Sequence, residues 1–218
     1  IRGVMRRDRP SIVIATGHRS LHMAAALCAI HRVPWVGIGH GSEFLGRSGL
    51  NQFLSRRALE NAGLVIAVSE YTAQLIRAAA QPRLLVVIPN AADGERFRPG
   101  LNTAALRRRW GIDEGPVILT VGQVSERKAQ DVIIRAMPRV LAARPDVTYV
   151  VAGLPTLKEQ FAALAEELGV GHRVRFVGVV ADEDLPVAYN MADVFALVSR
   201  QTAAGDVEGF GIVVQEAA

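Results

Sequence analysis

The fold is indicated most clearly by the stretch Val117-Ile-Leu-Thr-Val121, which is followed by the amphipathic run Ala129–Ala143 and then by Thr148-Tyr-Val-Val-Ala152. Five consecutive apolar or β-branched residues predict a strand that is buried on both faces, and the longer run has helical spacing. A strand, a helix and a second strand in this order predict a parallel pair joined by a crossover helix. The stretch therefore predicts an α/β fold with a parallel sheet.

The same alternation continues in both directions along the chain. Further strands are predicted at Ser11–Ala15, Trp35–Gly39, Leu64–Val68, Leu85–Ile88, Arg173–Val177 and Val194–Val198. Further helices are predicted at Leu21–His31, Gly49–Asn61, Tyr71–Ala79, Leu157–Leu168 and Asp184–Met191. The charged stretch Asp93–Gly115, which contains glycine and proline, predicts a boundary between two Rossmann-like domains. Residues 1–95 are expected to form the C-terminal half of one domain, 96–115 the linker, and 116–218 the N-terminal two thirds of the other.

The composition fits a folded chain and narrows the classes of partner. Half of the 218 residues are hydrophobic and 21% are charged, so a sizeable core can be buried, unlike in a disordered chain. The chain has 25 basic and 21 acidic residues, and this surplus favours phosphate-bearing partners such as nucleotide sugars, anionic lipid surfaces or nucleic acids. No basic run is interleaved with aromatic residues, so no nucleic-acid partner is predicted.

The single cysteine and the apolar runs indicate a cellular compartment. Cys28 lies in an apolar helical run and is expected to be a buried thiol, and one cysteine alone excludes an internal disulfide, which fits a reducing compartment. No apolar run reaches the roughly 18 residues needed to cross a bilayer, and there is no signal peptide. A cytoplasmic location is therefore predicted. Because the sequence begins at Ile1 and stops within a helical pattern, it is expected to be an internal piece of a longer protein.

The last eleven residues, Glu208-Gly-Phe-Gly-Ile-Val-Val-Gln-Glu216-Ala-Ala218, carry the clearest chemical signal. Two carboxylates bracket a Gly-Phe-Gly turn whose glycines allow close approach of a ligand, and the following amides suit a diphosphate at a helix N-terminus. If the segment is helical, the two carboxylates lie about 12 Å apart along the axis, which is the reach of a nucleotide sugar. The alternative is a solvated glutamate and a helix that starts at a glycine.

Several segments in the right order resemble the retaining glycosyltransferases of the GT-B fold, in the family called GT4. The spacing of Glu208–Glu216, with E-G-F-G and E-A-A, is similar to the family's paired-glutamate motif. The segment Val121–Asp131 resembles its V-G-R…K-G loop, and Ile88–Pro99 resembles its I-P-N-G-V-D…F-P segment, which leads into the linker. Two shorter segments, His40–Glu43 and Ala67–Tyr71, fall at comparable strand ends. Together these segments cover nearly the whole chain.

The resemblance implies metal-independent, retaining transfer of a hexose from a nucleoside diphosphate sugar, without a cofactor. Arg127 and Lys128 would stabilise the charge that grows on the departing diphosphate. Glu208 would accept hydrogen bonds from the transferred sugar, and Glu216 from the ribose. His40 would lie near the sugar and the acceptor, where it could bind a hydroxyl or carry a proton. The expected catalytic residues are His40, Arg127, Lys128 and Glu208, and the expected donor-binding residues are Gly122, Gly178, Ser199, Gly209, Phe210, Gly211 and Glu216.

The chain departs from the family pattern in the loop after the strand Val117–Val121. Gln123 stands where arginine is usual, and Ala129 stands where glycine is usual after the lysine. Arg127 is expected to replace the missing charge. The departures bear on how firmly the diphosphate is held.

The resemblance also implies partners. The segment Asp206-Val-Glu-Gly-Phe-Gly211 resembles actinobacterial mannosyltransferases that act on phosphatidylinositol mannosides, so GDP-mannose is the favoured donor and UDP-sugars come next. The expected acceptor is a hydroxyl of a lipid or glycan of the cell envelope. Basic residues in the first domain favour a peripheral position at the inner face of the membrane, with general solubility as the alternative reason for them. These are Arg2, Arg6, Arg7, Arg9, Arg47, Arg56 and Arg57.

The same residues leave other functions to be considered. A module that binds nucleotide sugars without turnover is favoured by the departures at Gln123 and Ala129, and a sugar-nucleotide 2-epimerase would share the two-domain fold. Retaining glycoside hydrolases hold their two carboxylates about 5–5.5 Å apart. This function is rejected because Glu208 and Glu216, eight residues apart in one loop-helix segment, are not expected to approach so closely, and because a hydrolase does not need the Arg127-Lys128 loop. Glu43 is interpreted as a loop charge, and no zinc site is predicted because the histidines lack metal-ligand spacing. The 218-residue chain alone is expected to bind a nucleoside diphosphate weakly and to transfer no sugar.

Overall fold

The computed structural model describes residues 2–41 and 49–218, and for Arg2 the backbone alone. The sequence-based interpretations of Glu43, of Arg47 and of the Arg2 side chain fall outside this part. The chain divides into two units. The first unit runs up to Asn90 and includes Ala203–Phe210, and the second comprises Ala91–Thr202 and Gly211–Ala218.

The first unit contains a four-stranded parallel sheet with strand order β1-β2-β3-β4. Its described elements are α1 (Arg2–Arg7), β1 (Val13–Thr16), α2 (His18–His31), β2 (Trp35–Gly39), α3 (Gly49–Asn61), β3 (Leu64–Ala67), α4 (Glu70–Ala79) and β4 (Leu85–Val87). The register pairs Val13 with Trp35, Val36 with Leu64, and Val65 with Leu85. Because all pairs are parallel, the carboxyl ends of the four strands lie at one edge of this sheet.

The core of the first unit forms where the helices cover the strands. Leu21 and Cys28 of α2 are buried, and Leu59 of α3 and Ile76 of α4 are fully enclosed in the same cluster. The prediction that Cys28 is a buried thiol is confirmed, and burial raises the pKa of this thiol because it disfavours the thiolate.

The second unit contains a four-stranded parallel sheet with order β7-β6-β5-β8. Its elements are α5 (Ala104–Trp110), β5 (Val117–Val121), α6 (Gln130–Ala143), β6 (Thr148–Ala152), α7 (Lys158–Glu167), a 3₁₀ turn (Gly171–Arg173), β7 (Val174–Gly178), α8 (Leu185–Asn190), β8 (Val194–Phe195) and α9 (Ile212–Ala217). Numbered within this sheet, the order is 3-2-1-4, as in the first half of a doubly wound nucleotide-binding fold. The predicted α/β fold with parallel sheets is confirmed.

The apolar strands are continuous because both faces of the second sheet are covered. On β6, Tyr149 and Val151 belong to one core cluster, while Val150 and Ala152 belong to the other. The first cluster is completed by α6 and α7, and the second by α5, α8 and α9. Alternate residues of one strand therefore enter opposite cores, as expected for a buried parallel strand.

Some predicted bounds differ from the structure. The strand predicted at Val194–Val198 ends at Phe195, where the Ala196 carbonyl accepts a hydrogen bond from the Thr120 hydroxyl at 2.8 Å. The segment 96–115, predicted as the linker, contains α5, and buried Leu106 and Ile112 pack into the core of the second unit.

Candidate functional site

The predicted lysine lies at the carboxyl end of β5, against the backbone of Gly122. Lys128 is 7% exposed, and its side-chain Cε lies 3.0 Å from the position that a Cβ on Gly122 would occupy. Gly122 itself has φ +147°, which favours glycine. A side chain at residue 122 would therefore press on the lysine stem as well as strain the backbone.

Glycines also bring the ends of the neighbouring strands together. A Cβ on Gly153, after β6, would overlap the carbonyl oxygen of Gly122. The Gly153 amide donates to the carbonyl of Gly178, at the end of β7, at 2.7 Å. The predicted residues Gly122 and Gly178 thus flank the same close-packed edge of the second sheet.

The loop between β5 and α6 is braced from inside by Gln130. This side chain is fully buried, and its amide nitrogen donates to the Gln123 carbonyl at 3.0 Å while its oxygen accepts from the Ser125 amide at 3.3 Å. The Lys128 amide donates to the Ser125 hydroxyl at 3.4 Å. Because the nitrogen and the oxygen of the Gln130 side chain both bind the backbone of the loop, the first turn of α6 fixes the path of the loop that carries the lysine.

Ala129 explains why a glycine suits this position. Its backbone has φ +55° and ψ +36°, in the left-handed region, and its side chain is fully buried. An L-residue with a Cβ is disfavoured there, and glycine is not. The helix begins at Gln130 instead of at the predicted Ala129 because this left-handed residue serves as its N-cap.

A second brace joins the loop to the segment after β8. Arg200 donates from both terminal nitrogens to the Asp131 carboxylate, at 3.1 and 3.0 Å. Its amide also donates to the Arg127 carbonyl at 2.9 Å. The Asp131 side chain is 14% exposed, and that of Arg200 is 40% exposed. The predicted residues Arg127 and Ser199 are thereby brought to one region of the second unit.

In the first unit, His40 follows β2 and is bound by a residue from the adjacent strand. The distance from the Thr16 hydroxyl to Nε2 of His40 is 2.6 Å. Thr16 is the last residue of β1, and the register places β1 beside β2. The carboxyl ends of these parallel strands therefore supply a hydroxyl that orients the imidazole.

The segment 203–210 lies with the first unit, and its Gly209 packs beside His40. A Cβ on Gly209 would overlap the carbonyl oxygen of His40. The Gly209 carbonyl accepts from the Ser69 hydroxyl at 2.7 Å and from the Thr72 hydroxyl at 3.4 Å. Glu208, which precedes Gly209, is half-buried and belongs to the same unit. Thus the structure gathers His40, Glu208, Gly209 and Phe210 into one unit.

Glu216 has a different environment from Glu208. It lies on α9, which begins at Ile212 after the left-handed Gly211, and its carboxylate accepts from the Tyr189 hydroxyl at 2.6 Å. Burial, followed by this hydrogen bond, raises the pKa of Tyr189, so the phenol keeps its proton and donates. The two glutamates do not share one helix, and the expected axial separation of about 12 Å for a continuous helix does not apply.

Some residues of these clusters were missed in the sequence. Ser69 stands before a helix and is recognisable as an N-cap, but its bond to Gly209 spans 140 positions. Asp131 and Arg200 are separated by 69 positions and have no local signature. Gln130 is a polar residue in a helical run, which gives no hint of burial. The roles predicted for the site residues stay predictions.

Similarity to known proteins identifies the family. Residues 102–218, more than half of the chain, match the family described as "Glycosyl transferases group 1", and residues 1–96 match "Glycosyltransferase Family 4". The chain belongs to the glycosyl transferases group 1 family. The predicted resemblance to GT4 enzymes is thereby confirmed.

Individual relatives of this family member add detail. It is 37% identical over 165 residues to the GDP-mannose-dependent alpha-(1-6)-phosphatidylinositol monomannoside mannosyltransferase of Mycolicibacterium smegmatis, covering 74% of the chain and 43% of the relative. It is 33% identical over 181 residues to the D-inositol 3-phosphate glycosyltransferase of Corynebacterium diphtheriae, covering 78% of the chain and 41% of the relative. The chain therefore spans less than half the length of these curated relatives.

A solved structure confirms the fold of this family member. The crystal structure of Anabaena HepE in complex with UDP and glucose superposes with a TM-score of 0.85 at 24% identity, covering 99% of this chain and 59% of that one. The predicted GT-B architecture is confirmed by this likeness. Among the helices in residues 2–41 and 49–218, none has the length and apolar character needed to cross a bilayer.

Proposed function

We propose that the protein is a retaining, metal-independent mannosyltransferase that uses GDP-mannose and acts on a lipid or glycan hydroxyl. The observation that carries the proposal is the buried Lys128, held against Gly122 at the carboxyl end of β5 on a loop braced by Gln130. Open parallel sheets bind ligands at this edge. A cation positioned there in advance suits a diphosphate.

The chemistry requires positive charge near the leaving group. When the glycosidic bond breaks, negative charge grows on the diphosphate, and preorganised cations lower the barrier because they bind the transition state more strongly than the ground state. Lys128 would act as a point charge, and the guanidinium of Arg127 could bind two oxygens. These two cations would supply the charge without a metal ion.

Two of the predicted residues would bind the transferred sugar. The Glu208 carboxylate would accept hydrogen bonds from sugar hydroxyls, and His40, oriented by Thr16, would bind a hydroxyl near the reacting carbon. The departing diphosphate would help to deprotonate the acceptor, so no protein nucleophile is required. In this proposal Glu216 holds the ribose through its carboxylate.

Donor and acceptor are proposed from the relatives and from charge. The Mycolicibacterium smegmatis relative is named for GDP-mannose and a phosphatidylinositol monomannoside, which supports a mannosyl donor and a lipid acceptor. The first unit has eleven basic and six acidic residues, whereas the second has fourteen and fifteen. A basic first unit favours approach to an anionic membrane surface at the cytoplasmic face.

A binding module without turnover is the second candidate. Gln123, which replaces the usual arginine, brings no positive charge to the loop. Its side-chain nitrogen instead donates a hydrogen bond to the Thr156 hydroxyl at 2.9 Å. A 2-epimerase is less favoured because of the E-G-F-G…E pattern.

Product analysis with the protein encoded by the complete reading frame tests the proposal. It should be incubated with GDP-mannose or UDP-glucose and with phosphatidylinositol monomannoside, in the presence and absence of EDTA. We expect a mannosylated lipid that retains the donor's anomeric configuration, with the same yield in EDTA. An epimerised donor would identify an epimerase, and GDP binding without any product would identify the binding module.

A further inference from the structure

We propose that Ser69 and Thr72 are positioning residues that hold Glu208 beside His40 by binding the carbonyl of Gly209. The inference rests on the proposed function, because it assigns Glu208 to the transferred sugar. It concerns the backbone that carries this carboxylate.

The Ser69 hydroxyl acts both as a hydrogen-bond acceptor and as a donor at the start of α4. As the N-cap, it accepts from the Thr72 amide at 3.0 Å. It also donates to the Gly209 carbonyl at 2.7 Å. One hydroxyl therefore both begins a helix of the first unit and holds a peptide from a distant part of the chain.

Thr72 adds a second hydroxyl to the same carbonyl. Its side chain is fully buried, and Oγ1 lies 3.4 Å from the Gly209 oxygen and 3.1 Å from the Ser69 hydroxyl. A carbonyl oxygen has two lone pairs and can accept from both hydroxyls. The shorter bond from Ser69 is the stronger of the two.

Steric contacts hold the other side of the same peptide. A Cβ on Gly209 would overlap the His40 carbonyl oxygen, and a Cβ on Gly41, which has φ +125°, would lie 3.2 Å from the Gly209 Cα. Thus the Gly209 backbone is bounded by the end of β2 and is hydrogen-bonded by the start of α4. Because Glu208 is the preceding residue, its Cα position follows from these contacts.

The two functions of Ser69 can be separated by substitution. Ser69→Thr keeps the hydroxyl donor and the cap. Ser69→Asp keeps an acceptor that caps the helix but cannot donate to the Gly209 carbonyl, and it places a negative charge against it. Ser69→Ala loses both, and Thr72→Val removes the second hydroxyl at constant shape. Ser55→Ala is a matched control, because the buried Ser55 hydroxyl lies 3.0 Å from Nε2 of His22 on another helix pair of this unit.

Two readouts should be compared in the protein encoded by the complete reading frame. Turnover at saturating GDP-mannose should fall about fivefold or more in Ser69→Asp and in Ser69→Ala, since a net hydrogen bond is worth about 1 kcal/mol. Ser69→Thr and Ser55→Ala should stay close to the wild-type turnover. Amide hydrogen exchange in residues 203–210 should accelerate in Ser69→Asp and not in Ser69→Thr. Thermal stability should fall less in Ser69→Asp than in Ser69→Ala, because the aspartate keeps the helix cap.

The outcomes separate this inference from the proposed function. If the wild type transfers no sugar, the proposed function fails, and faster exchange in Ser69→Asp than in Ser69→Thr still supports the hold on residues 203–210. Equal exchange in these two variants would overturn it. If exchange accelerates in Ser69→Asp while turnover stays at the wild-type level, the hold is real but does not position Glu208, and the inference is overturned.

Discussion

The loop 122–131 and the segment 203–210 are held in place in contrasting ways. The loop is braced largely by a neighbour in sequence, because Gln130 binds the backbone of Gln123 seven residues earlier. The segment is held by Ser69, 140 positions away, and by the close approach of Gly209 to His40. The loop is therefore held largely by its own helix, whereas the segment is held by residues that lie far from it in the chain and meet it in the folded first unit.

The largest expected effect comes from removing the cations of the loop. Lys128→Ala and Arg127→Ala should each raise the barrier to transfer by about 2–4 kcal/mol if the cations are desolvated in the complex, because their charge acts most strongly on the departing diphosphate. Steady-state kinetics with GDP-mannose should show a fall in turnover that exceeds the loss of affinity for the intact donor. The exposed Lys158→Ala on α7 is the control. A wild-type turnover in Lys128→Ala would show that the loop does not serve the diphosphate.

The brace of the loop gives the next largest effect. Gln130→Ala should lower the free energy of unfolding by about 1–3 kcal/mol, since it leaves the Gln123 carbonyl and the Ser125 amide without this partner. Gln130→Glu keeps the acceptor for Ser125 and loses the donor. The exposed Gln160→Ala on α7 is the matched control for urea denaturation. If Gln130→Ala and Gln160→Ala have the same midpoint, the loop does not depend on this side chain.

The ion pair between Asp131 and Arg200 should have a smaller effect. Arg200 is 40% exposed, so solvent screening limits the coupling in a double-mutant cycle to about 0.5–1 kcal/mol. Arg200→Lys should lose most of this coupling because an ammonium cannot bind both carboxylate oxygens. GDP affinity should fall in both single variants and less so at high salt. The Arg144–Asp146 pair elsewhere in the unit provides the control, and an equal response of the two pairs would argue against a role in the loop.

The smallest effect is expected at Ala129. Ala129→Gly relieves the left-handed strain, but it also removes a buried methyl group and raises the conformational entropy of the unfolded chain. Because these effects oppose each other, the free energy of unfolding should rise by no more than about 1 kcal/mol. Ala136→Gly, in the exposed interior of α6, should instead lower it by about 1 kcal/mol. Urea denaturation of both variants compares them, and equal destabilisation would contradict the conformation of residue 129.

The sequence predicted the strands well because burial on both faces leaves a continuous apolar signal. The bounds of β5 and β6 agree with the prediction, and alternate residues of β6 enter two cores. The helix α5 was not predicted because its sequence shows no amphipathic pattern. Leu106 is its buried residue, and three arginines follow it directly. Short charged helices of this kind depend on tertiary packing more than on pattern.

For the candidate site, the sequence located the loops and not the contacts between them. Gly122 and Lys128 follow a recognisable strand, so their position at its carboxyl end could be predicted. The hydrogen bonds from Ser69 to Gly209 and from Arg200 to Asp131 join residues far apart in the chain, and no local pattern specifies them. The separation of about 12 Å between Glu208 and Glu216 was conditional on a continuous helix. It does not apply because the left-handed Gly211 precedes a helix that begins at Ile212.

Calorimetric titration with GDP tests most directly which of the predicted residues bind the diphosphate and the ribose. GDP carries the diphosphate and the ribose but no hexose. We therefore predict that Lys128→Ala and Glu216→Ala weaken GDP binding, whereas Glu208→Ala binds GDP as the wild type does while losing turnover with GDP-mannose. Weakened GDP binding in Glu208→Ala, together with unchanged binding in Lys128→Ala, would contradict the assignment of the loop to the diphosphate and of the segment to the sugar.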